Sequence, residues 1–512
     1  MLLSGCVGFP PLPPAPPSRA LPASTATPLG RIAQASLPNP ELTGFRLLPG
    51  GDFALDTRLQ LIRRAERSLD VQYYQVVDDA TGRSFLRALR DAARRGVRVR
   101  LLLDDLYTAG QDPLLLGLAA TPNLELRLFN PFPAWRGSLV SKLGSSLLSF
   151  TRLNRRMHNK LFIADGAMAI AGGRNIGDAY FRQTTEENYL DVDAFVTGAL
   201  LPRLGELFDR YWNSEHVRPI ESVVPVELTR SELEMRFEQS TEDRPTLRAP
   251  EPGAIDVLGY LPIAHELDAG KLDLIWAAAE AYADDPARVV GRETSYGGLS
   301  LLDIDGVRYN VREQMRRART DVTLVSPYVV PGRDGMDTLR EMRERSVRIS
   351  LLTNSLATTD EPLVYTAYRR YRPQMLRLGV EIWELSSTRS RRSRLLGPFG
   401  SKIERLHAKT AIFDRRTIYL GSMNLDPRSD LHNTELGLFV TSPELARQLL
   451  QLAEALKEQG AHQVRFSTDR SMLEWITGDG KTEEALRVDP DSNFWDRLRL
   501  RLIAPLVPEG LL

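Results

Sequence analysis

The chain has 512 residues, 42% hydrophobic and 26% charged, and its 66 Lys and Arg balance 66 Asp and Glu to a formal net charge of zero. That length holds two or more domains, each with its own core, while the neutral balance gives no global attraction to polyanions and argues against a nucleic-acid partner. A single cysteine excludes a disulfide framework or a cysteine metal cluster within one chain.

Residues 1–41 read as a terminal segment outside any core. From Phe9 to Pro40 the sequence is proline-rich ("FPPLPPAPPSRALPAS"), which favours extended polyproline conformation and predicts a tether. Cys6 ends the stretch Leu-Ser-Gly-Cys, which resembles the lipobox of bacterial lipoproteins. The resemblance implies acylation of Cys6 in a cell-envelope protein held at the membrane and facing the periplasm. The pattern departs from that family in having only five residues before Cys6, too few for a charged start and an apolar run. No later stretch offers the 18 or so uncharged apolar residues of a spanning helix.

The folded part begins near Arg46. "DTRLQLIRRAERS" (56–68) has helical spacing of apolar residues, "LDVQYYQVVDD" (69–79) reads as a buried strand, and "SFLRALRDAARRG" as a helix closed by Gly96. The strands "VRVRLLLDD" (97–105) and "LELRLFN" (124–130) follow, and strands alternating with helices predict an α/β layer sandwich. The segment "SLVSKLGSSLLSF" (138–150) combines Leu, Val and Phe with small residues and no acid, as a membrane-facing rim would. The basic runs at 152–156 and 389–394 read as solvated surface or as contacts to phosphates. The same order of elements returns in "YNVREQMRRART" (309–320), "DVTLVSPYVV" (321–330), "VRISLLTNS" (347–355) and "VEIWELS" (380–386). An α/β unit of some 170 residues is therefore present twice. The organisation expected is a first lobe over 42–215, an inter-lobe connection over 216–300 that becomes helical, a second lobe over 301–440 and a helical tail over 441–512.

Each unit ends in one pattern: "HNKLFIADGAMAIAGGRN" at 158–175 and "HAKTAIFDRRTIYLGSMN" at 407–424. Residues i and i+2 of a strand share a face, so His158 projects with Lys160 and His407 with Lys409. Asp165 and Asp414 follow. The pairs Gly172–Gly173 and Gly421–Ser422 then form turns whose backbone N–H groups can approach an anion, and Asn175 and Asn424 add amide donors. Aligning "DVDAFVTG" (191–198) with "ELGLFVTS" (435–442) on the shared Phe-Val-Thr puts Asp191 over Glu435. Each His thereby gains a downstream carboxylate able to fix its tautomer, with Asp193 an alternative to Asp191 in the first half. No carboxylate has metal-ligand spacing beside either His, so no metal is expected.

These twin H-x-K-x4-D-x6-G-[GS]-x-N patterns resemble those of the phospholipase D superfamily. Over residues 42–512 the chain resembles bacterial cardiolipin synthases of the C type, through "LDVQYYQVVDD", "GVRVRLLLDD", "RLNRRMHNK", "GGRNIGDAYF", "SPYVVPG" and "GSMNLDPRS". The resemblance implies two α/β/α lobes around one shared site that needs no metal or organic cofactor. It also implies phospholipid substrates at a membrane surface, with the protein partner undefined. His158 would be the nucleophile that forms a phosphohistidine, and His407 the acid and base. Lys160, Lys409, Asn175 and Asn424 would hold the nonbridging oxygens, while Asp165 and Asp414 would contact substrate or pair within their lobes. The accepting alcohol decides the outcome: phosphatidylglycerol gives cardiolipin, with phosphatidylglycerol or phosphatidylethanolamine as donor, and water gives phospholipid hydrolysis. A nuclease is the remaining reading.

Overall fold

The computed structural model describes residues 16–132, 155–242, 252–290, 306–390, 403–469, 472–478 and 483–503, together with Phe9, Pro13 and Arg136. Cys6 and the expected rim segment 138–150 lie outside the described residues.

The first lobe contributes β1 (Thr43–Leu48), β2 (Ser68–Tyr73), β3 (Arg98–Asp104), β4 (Leu124–Phe129), β5 (Leu161–Ala164), β6 (Met168–Gly172), β7 (Glu187–Leu190), β8 (Asp193–Gly198) and β9 (Val217–Pro219). Its sheet runs β1–β8–β6–β5–β2–β3–β4–β9, with β2, β3 and β4 parallel and the other neighbours antiparallel. After β10 (Ile275–Ala283), the second lobe contributes β11 (Asp321–Val325), β12 (Arg348–Asn354), β13 (Glu381–Leu385), β14 (Ile403–Leu406), β15 (Thr410–Phe413), β16 (Thr417–Gly421), β17 (Leu436–Thr441), β18 (Ala461–Phe466), β19 (Leu473–Gly478) and β20 (Glu483–Leu486). Its sheet, β17–β16–β15–β11–β12–β13–β18–β19–β20, repeats the first strand for strand up to β18, again with the central three strands parallel.

Strands β2 and β3 are buried on both faces, as a near-continuous apolar run should be. Alternation along β3 sends Leu101 and Leu103 into one core layer and Leu102 into another. The second layer belongs to both lobes. It joins Ile163, Ala171 and Val196 of the first sheet to Ile412, Leu420 and Leu438 of the second. The helices Leu201–Trp212 and Pro443–Gly460 also feed this layer, through residues such as Leu204, Phe208, Leu445 and Leu449. The lobes are thus two α/β/α sandwiches packed against each other over a common core.

Three sequence expectations change here. The connection does not simply turn helical: after the short helix Ile263–Ala269 it forms β10. The first residues of β10 pair with β1 (Phe45↔Ile275) and the last six with β17 (Ala283↔Leu436), so one strand joins both sheets. Its alanine-rich sequence, "IWAAAEAYA", carries weak strand propensity, and pairing on both sides overrides that. Among its described residues the tail is helical only at Pro443–Gly460 and Phe494–Ile503; between them β18, β19 and β20 extend the second sheet.

The proline-rich start is not a free tether over its whole length. The Ser18 and Ala20 N–H groups donate to Asn213 Oδ1 (2.9 Å) and Asp209 Oδ2 (2.8 Å). The Arg218 guanidinium lies 4.9 Å from the Phe9 ring centroid. Pro28–Ser36 is a helix capped by Thr27, and its Leu29 and Ile32 are buried in the first lobe. Leu29 and Ile32, three apart, give this segment an apolar face on the lobe despite a composition that suggested otherwise.

Candidate active site

The site forms where the two repeats face each other. Strands β7 and β14 pair in parallel across the lobes, Leu190 beside Leu406, and Met157 bridges Thr434 in the same sense. These two contacts are equivalent under the duplication. Each sets the residue before a catalytic-pattern His beside the residue before a carboxylate of the opposite lobe. The backbone holds the register: His158 N donates to Thr434 O (2.8 Å) and His407 N to Leu190 O (2.8 Å).

The pairing of His and carboxylate is therefore crossed. His407 Nδ1 lies 2.6 Å from Asp191 Oδ2, and His158 Nδ1 lies 3.0 Å from Glu435 Oε2 and 2.9 Å from Ser422 O. The alignment had matched each carboxylate to the His of its own half. Local sequence carries no information about a partner more than 200 residues away. Asp193 does not compete for the role: its Oδ2 accepts from Arg58 Nη2 (2.8 Å) and Arg174 Nη1 (3.2 Å) inside the first lobe. A carbonyl oxygen only accepts, so His158 Nδ1 carries its proton toward Ser422 and leaves the Nε2 lone pair free.

Lys160 Nζ donates to His158 O (2.6 Å), and Lys409 Nζ donates to His407 O, so each ammonium is tied to the backbone of its own His. Asn175 Nδ2 donates to Tyr180 OH (2.9 Å), while the Oδ1 atoms of Asn175 and Asn424 are buried without a protein partner.

Asp165 and Asp414 pair within their own lobes, one of the two roles open to them from sequence. Both occupy hairpin turns at φ +52°, a conformation Asp tolerates better than most residues. The Asp165 carboxylate accepts from the N–H groups of Glu66, Arg67 and Ser68, and that of Asp414 from Arg319, Thr320 and Asp321. Each pins its β-hairpin to the start of the central strand of its lobe.

The glycine pairs are tightly packed on their Cα side. A Cβ on Gly172 would overlap the Asp193 carboxylate, and one on Gly173 would lie 2.5 Å from Asp191 Oδ1. A Cβ on Gly421 would overlap the Leu436 carbonyl oxygen, and Ser422 Oγ donates to Glu435 Oε2 (2.5 Å). Gly173 and Ser422 thus seat the carboxylates that lie on the imidazoles, while Gly172 packs on Asp193 and Gly421 on the Leu436 carbonyl.

Burial separates the electrostatics of the two halves. It raises Glu435 to about 8, although Ser422 and the Lys160 charge pull it down. Burial acts on Asp191 too, but the hydrogen bond from His407 and the charges of Lys409 and Arg174 overcome it and hold the carboxyl at about 2. Desolvation and the Lys409 charge lower His407 to about 4 against the pull of Asp191, and desolvation with the charges of Lys160 and Lys409 takes His158 well below its ordinary value. Burial lowers Lys409 to about 8 and Lys160 well below its ordinary range.

Sequence reasoning missed the aromatic wall and two arginines. The Tyr74 ring sits edge-on to His158 at 4.9 Å, and Tyr180 and Tyr189 lie 5.1 and 5.2 Å from His407. Arg156, at the end of a basic run read as solvated surface or as phosphate contacts, is buried: its Nε donates to Asp104 Oδ1 (2.7 Å), and Met157 N donates to the other oxygen of that carboxylate (2.8 Å). It anchors the segment that delivers His158. Arg428 also exerts its positive charge on His158 and Tyr74. Its place in "NLDPRS", four residues past Asn424, was the available signal.

The family model described as "Cardiolipin synthase, PLD-like domain" matches residues 59–212 and 311–457, one match per lobe and each containing one His-Lys pattern. The chain belongs to the phospholipase D superfamily. Within that superfamily it is 38% identical over 495 residues to cardiolipin synthase C of Escherichia coli, covering 94% of this chain and 100% of that one. It is 24% identical to cardiolipin synthase 1 of Staphylococcus aureus (strain MRSA252), over 78% of this chain and 64% of the relative. The fold is shared with phosphatidylserine synthase of Haemophilus influenzae at a TM-score of 0.57 and 13% identity, covering 94% of this chain and all of the other. Among the described residues of this phospholipase D-like chain, no group of three or more His, Cys, Asp or Glu side chains is placed to hold a metal.

Proposed function

We propose that this phosphatidyl transferase makes cardiolipin, moving the phosphatidyl group of one phosphatidylglycerol onto a headgroup hydroxyl of a second, with phosphatidylethanolamine a possible alternative donor. The observation that supports the mechanism is the pair of crossed imidazole–carboxylate contacts, together with two buried lysines whose charges act on both imidazoles.

The two pairs differ in a way that supports distinct roles. His407 rests on a carboxylate that stays ionised, so its imidazolium form has a counter-charge and it suits a proton carrier. His158, held neutral with its Nε2 lone pair free, suits a nucleophile. In the first step His158 Nε2 forms a bond to phosphorus, the bond from phosphorus to the departing glycerol oxygen breaks, and His407 gives that oxygen a proton. In the second, His407 takes the proton of the incoming headgroup hydroxyl, its oxygen bonds to phosphorus, and the P–N bond breaks. Lys160 and Lys409, with the Asn175 and Asn424 amides, hold the nonbridging oxygens throughout. The phosphodiester's negative charge offsets the lysines and raises His407 from its depressed value toward the working range.

Purified protein incubated with phosphatidylglycerol vesicles tests this reading. Cardiolipin and free glycerol should appear in equal amounts, and added phosphatidylethanolamine should release ethanolamine if it serves as donor. Phosphatidic acid as the sole lipid product would replace transfer by hydrolysis. We place the enzyme at the bacterial envelope membrane, facing the periplasm and anchored by acylated Cys6, on the strength of the Leu-Ser-Gly-Cys stretch.

A further inference from the structure

The last described helix, Phe494–Ile503, has the sequence FWDRLRLRLI. At 100° per residue, Phe494, Leu498, Leu502 and Trp495 fall within one stripe of about 100°. Trp495 is 73% exposed, Leu502 68% and Phe494 62%, while Leu500 on the opposite side is 4% exposed and joins the second-lobe core. The helix therefore has two apolar faces, one packed against the protein and one bare. Its sequence also carries three arginines against one aspartate.

A line of contacts leads from this face to the catalytic centre. The Tyr189 ring lies 5.2 Å from that of His407, and the Tyr189 hydroxyl is 3.3 Å from Asp360 Oδ2. Asp360 also accepts from Tyr328 OH (2.7 Å) and precedes the helix Pro362–Arg377 by two residues. The first turn of that helix exposes Leu363 (42%) and carries Tyr365, whose hydroxyl donates to Asp489 Oδ1 (2.5 Å). Val488, beside Asp489, is 52% exposed, and Phe494 begins the final helix five residues on. Leu363 and Val488 thus lie within two residues of the hydrogen-bonded path that runs from the end of the chain toward Tyr189 beside His407.

We propose that Leu363, Val488 and the Phe494–Leu502 stripe form a docking surface that seats the mouth of the active site on the headgroup layer of an anionic bilayer. Charge selects this occupant. Indole and phenyl rings with leucines are suited to the boundary between headgroups and acyl chains, and the arginines of the same helix favour anionic headgroups over neutral ones. No helix among the described residues is long and apolar enough to span a membrane. The proposal rests on the reading that the substrates are bilayer phospholipids.

The test uses the full chain and sucrose-loaded vesicles of phosphatidylcholine, with or without phosphatidylglycerol, in a sedimentation assay. Wild type should bind the anionic vesicles more tightly. The double substitution W495E/L502E should weaken that binding at least tenfold, the order expected from losing the burial of two large apolar side chains. Melting temperature and turnover of a water-soluble phosphodiester should stay as in wild type. The milder Trp495→Ser should bind with intermediate affinity. Wild-type affinity in the double variant overturns the proposal, as does binding indifferent to phosphatidylglycerol. A change from dimer to monomer in the variant would make the face an interface between copies and overturn it equally. So would a drop in melting temperature with Trp495→Ser, which would make the face structural. Sedimentation requires no turnover, so vesicle binding without cardiolipin formation would count against the proposed reaction and leave the docking surface standing.

Discussion

Two buried lysines and two carboxylates of unequal acidity set what single substitutions do. His158→Ala and His407→Ala should each abolish phosphatidyl transfer, and the double variant should be little worse, because the two act as one unit. Asp191→Asn removes the ionised partner of His407 and should lower kcat on the order of 10²- to 10⁴-fold, measured as cardiolipin formed per enzyme. Lys409 gives a pH signature. Its value is lowered from 10.5 to about 8, so this ammonium, the proposed partner of the phosphate, is charged below pH 8 and loses its charge above it. kcat/KM should therefore fall as pH rises through about 8. Lys409→Arg keeps its charge and should move that limb to higher pH. Glu435→Gln, which removes the other group titrating near 8, should lower activity but leave the limb in place. A limb that vanishes in Glu435→Gln would transfer it to the carboxyl.

At the scale of elements, the hairpin ends after β6 and β16 and the crossed strands β7 and β14 convert a repeat into a site. Gly172 and Gly173 are adjacent yet serve different neighbours. A methyl on Gly173 would press on the Asp191 carboxylate and push it from His407, whereas one on Gly172 would press on Asp193 and disturb its pairs with Arg58 and Arg174. Gly173→Ala should thus lose most activity at nearly unchanged melting temperature. Gly172→Ala should cost about 1–3 kcal/mol of stability, read by denaturant titration. The hairpin turns behave likewise: Asp165→Ala and Asp414→Ala strip acceptors from three backbone N–H groups each, so they should lower stability first and activity only as a consequence.

At the scale of the whole molecule, β10 and the shared core make the lobes one cooperative unit. A strand hydrogen-bonded to both sheets leaves neither lobe able to unfold without exposing a sheet edge of the other. Calorimetry should show a single transition with equal calorimetric and van't Hoff enthalpies, where independent lobes would give two. The chain start bears on the membrane anchor as well. Because Ser18 is already bound to the first lobe, acylated Cys6 would hold the body close to the bilayer rather than on a thirty-residue leash: twelve residues of polyproline reach about 37 Å at most. Expressed with an upstream export signal, the protein should incorporate labelled fatty acid, and Cys6→Ala should abolish the label.

The strand–helix alternation, the duplication and the eight polar residues of the twin patterns were legible in the sequence, because burial and period act locally and a repeated spacing survives without any contact being known. The sequence even paired Asp191 with Glu435 by position. Which carboxylate meets which imidazole was not legible, since β7 beside β14 and Met157 beside Thr434 bring together residues more than 200 positions apart. The same holds for Arg156, which looks like surface charge until Asp104 lies beside it, and for the aromatic wall, whose tyrosines are scattered among three segments. Composition also misjudged β10 and the helix Pro28–Ser36, where an existing sheet edge and an existing apolar surface decided the outcome. The sequence by itself determined which chemistry the chain carries, because that depends on residue type and spacing. Only the tertiary structure decided how the two halves share it, because a hydrogen bond between lobes depends on the packing of both.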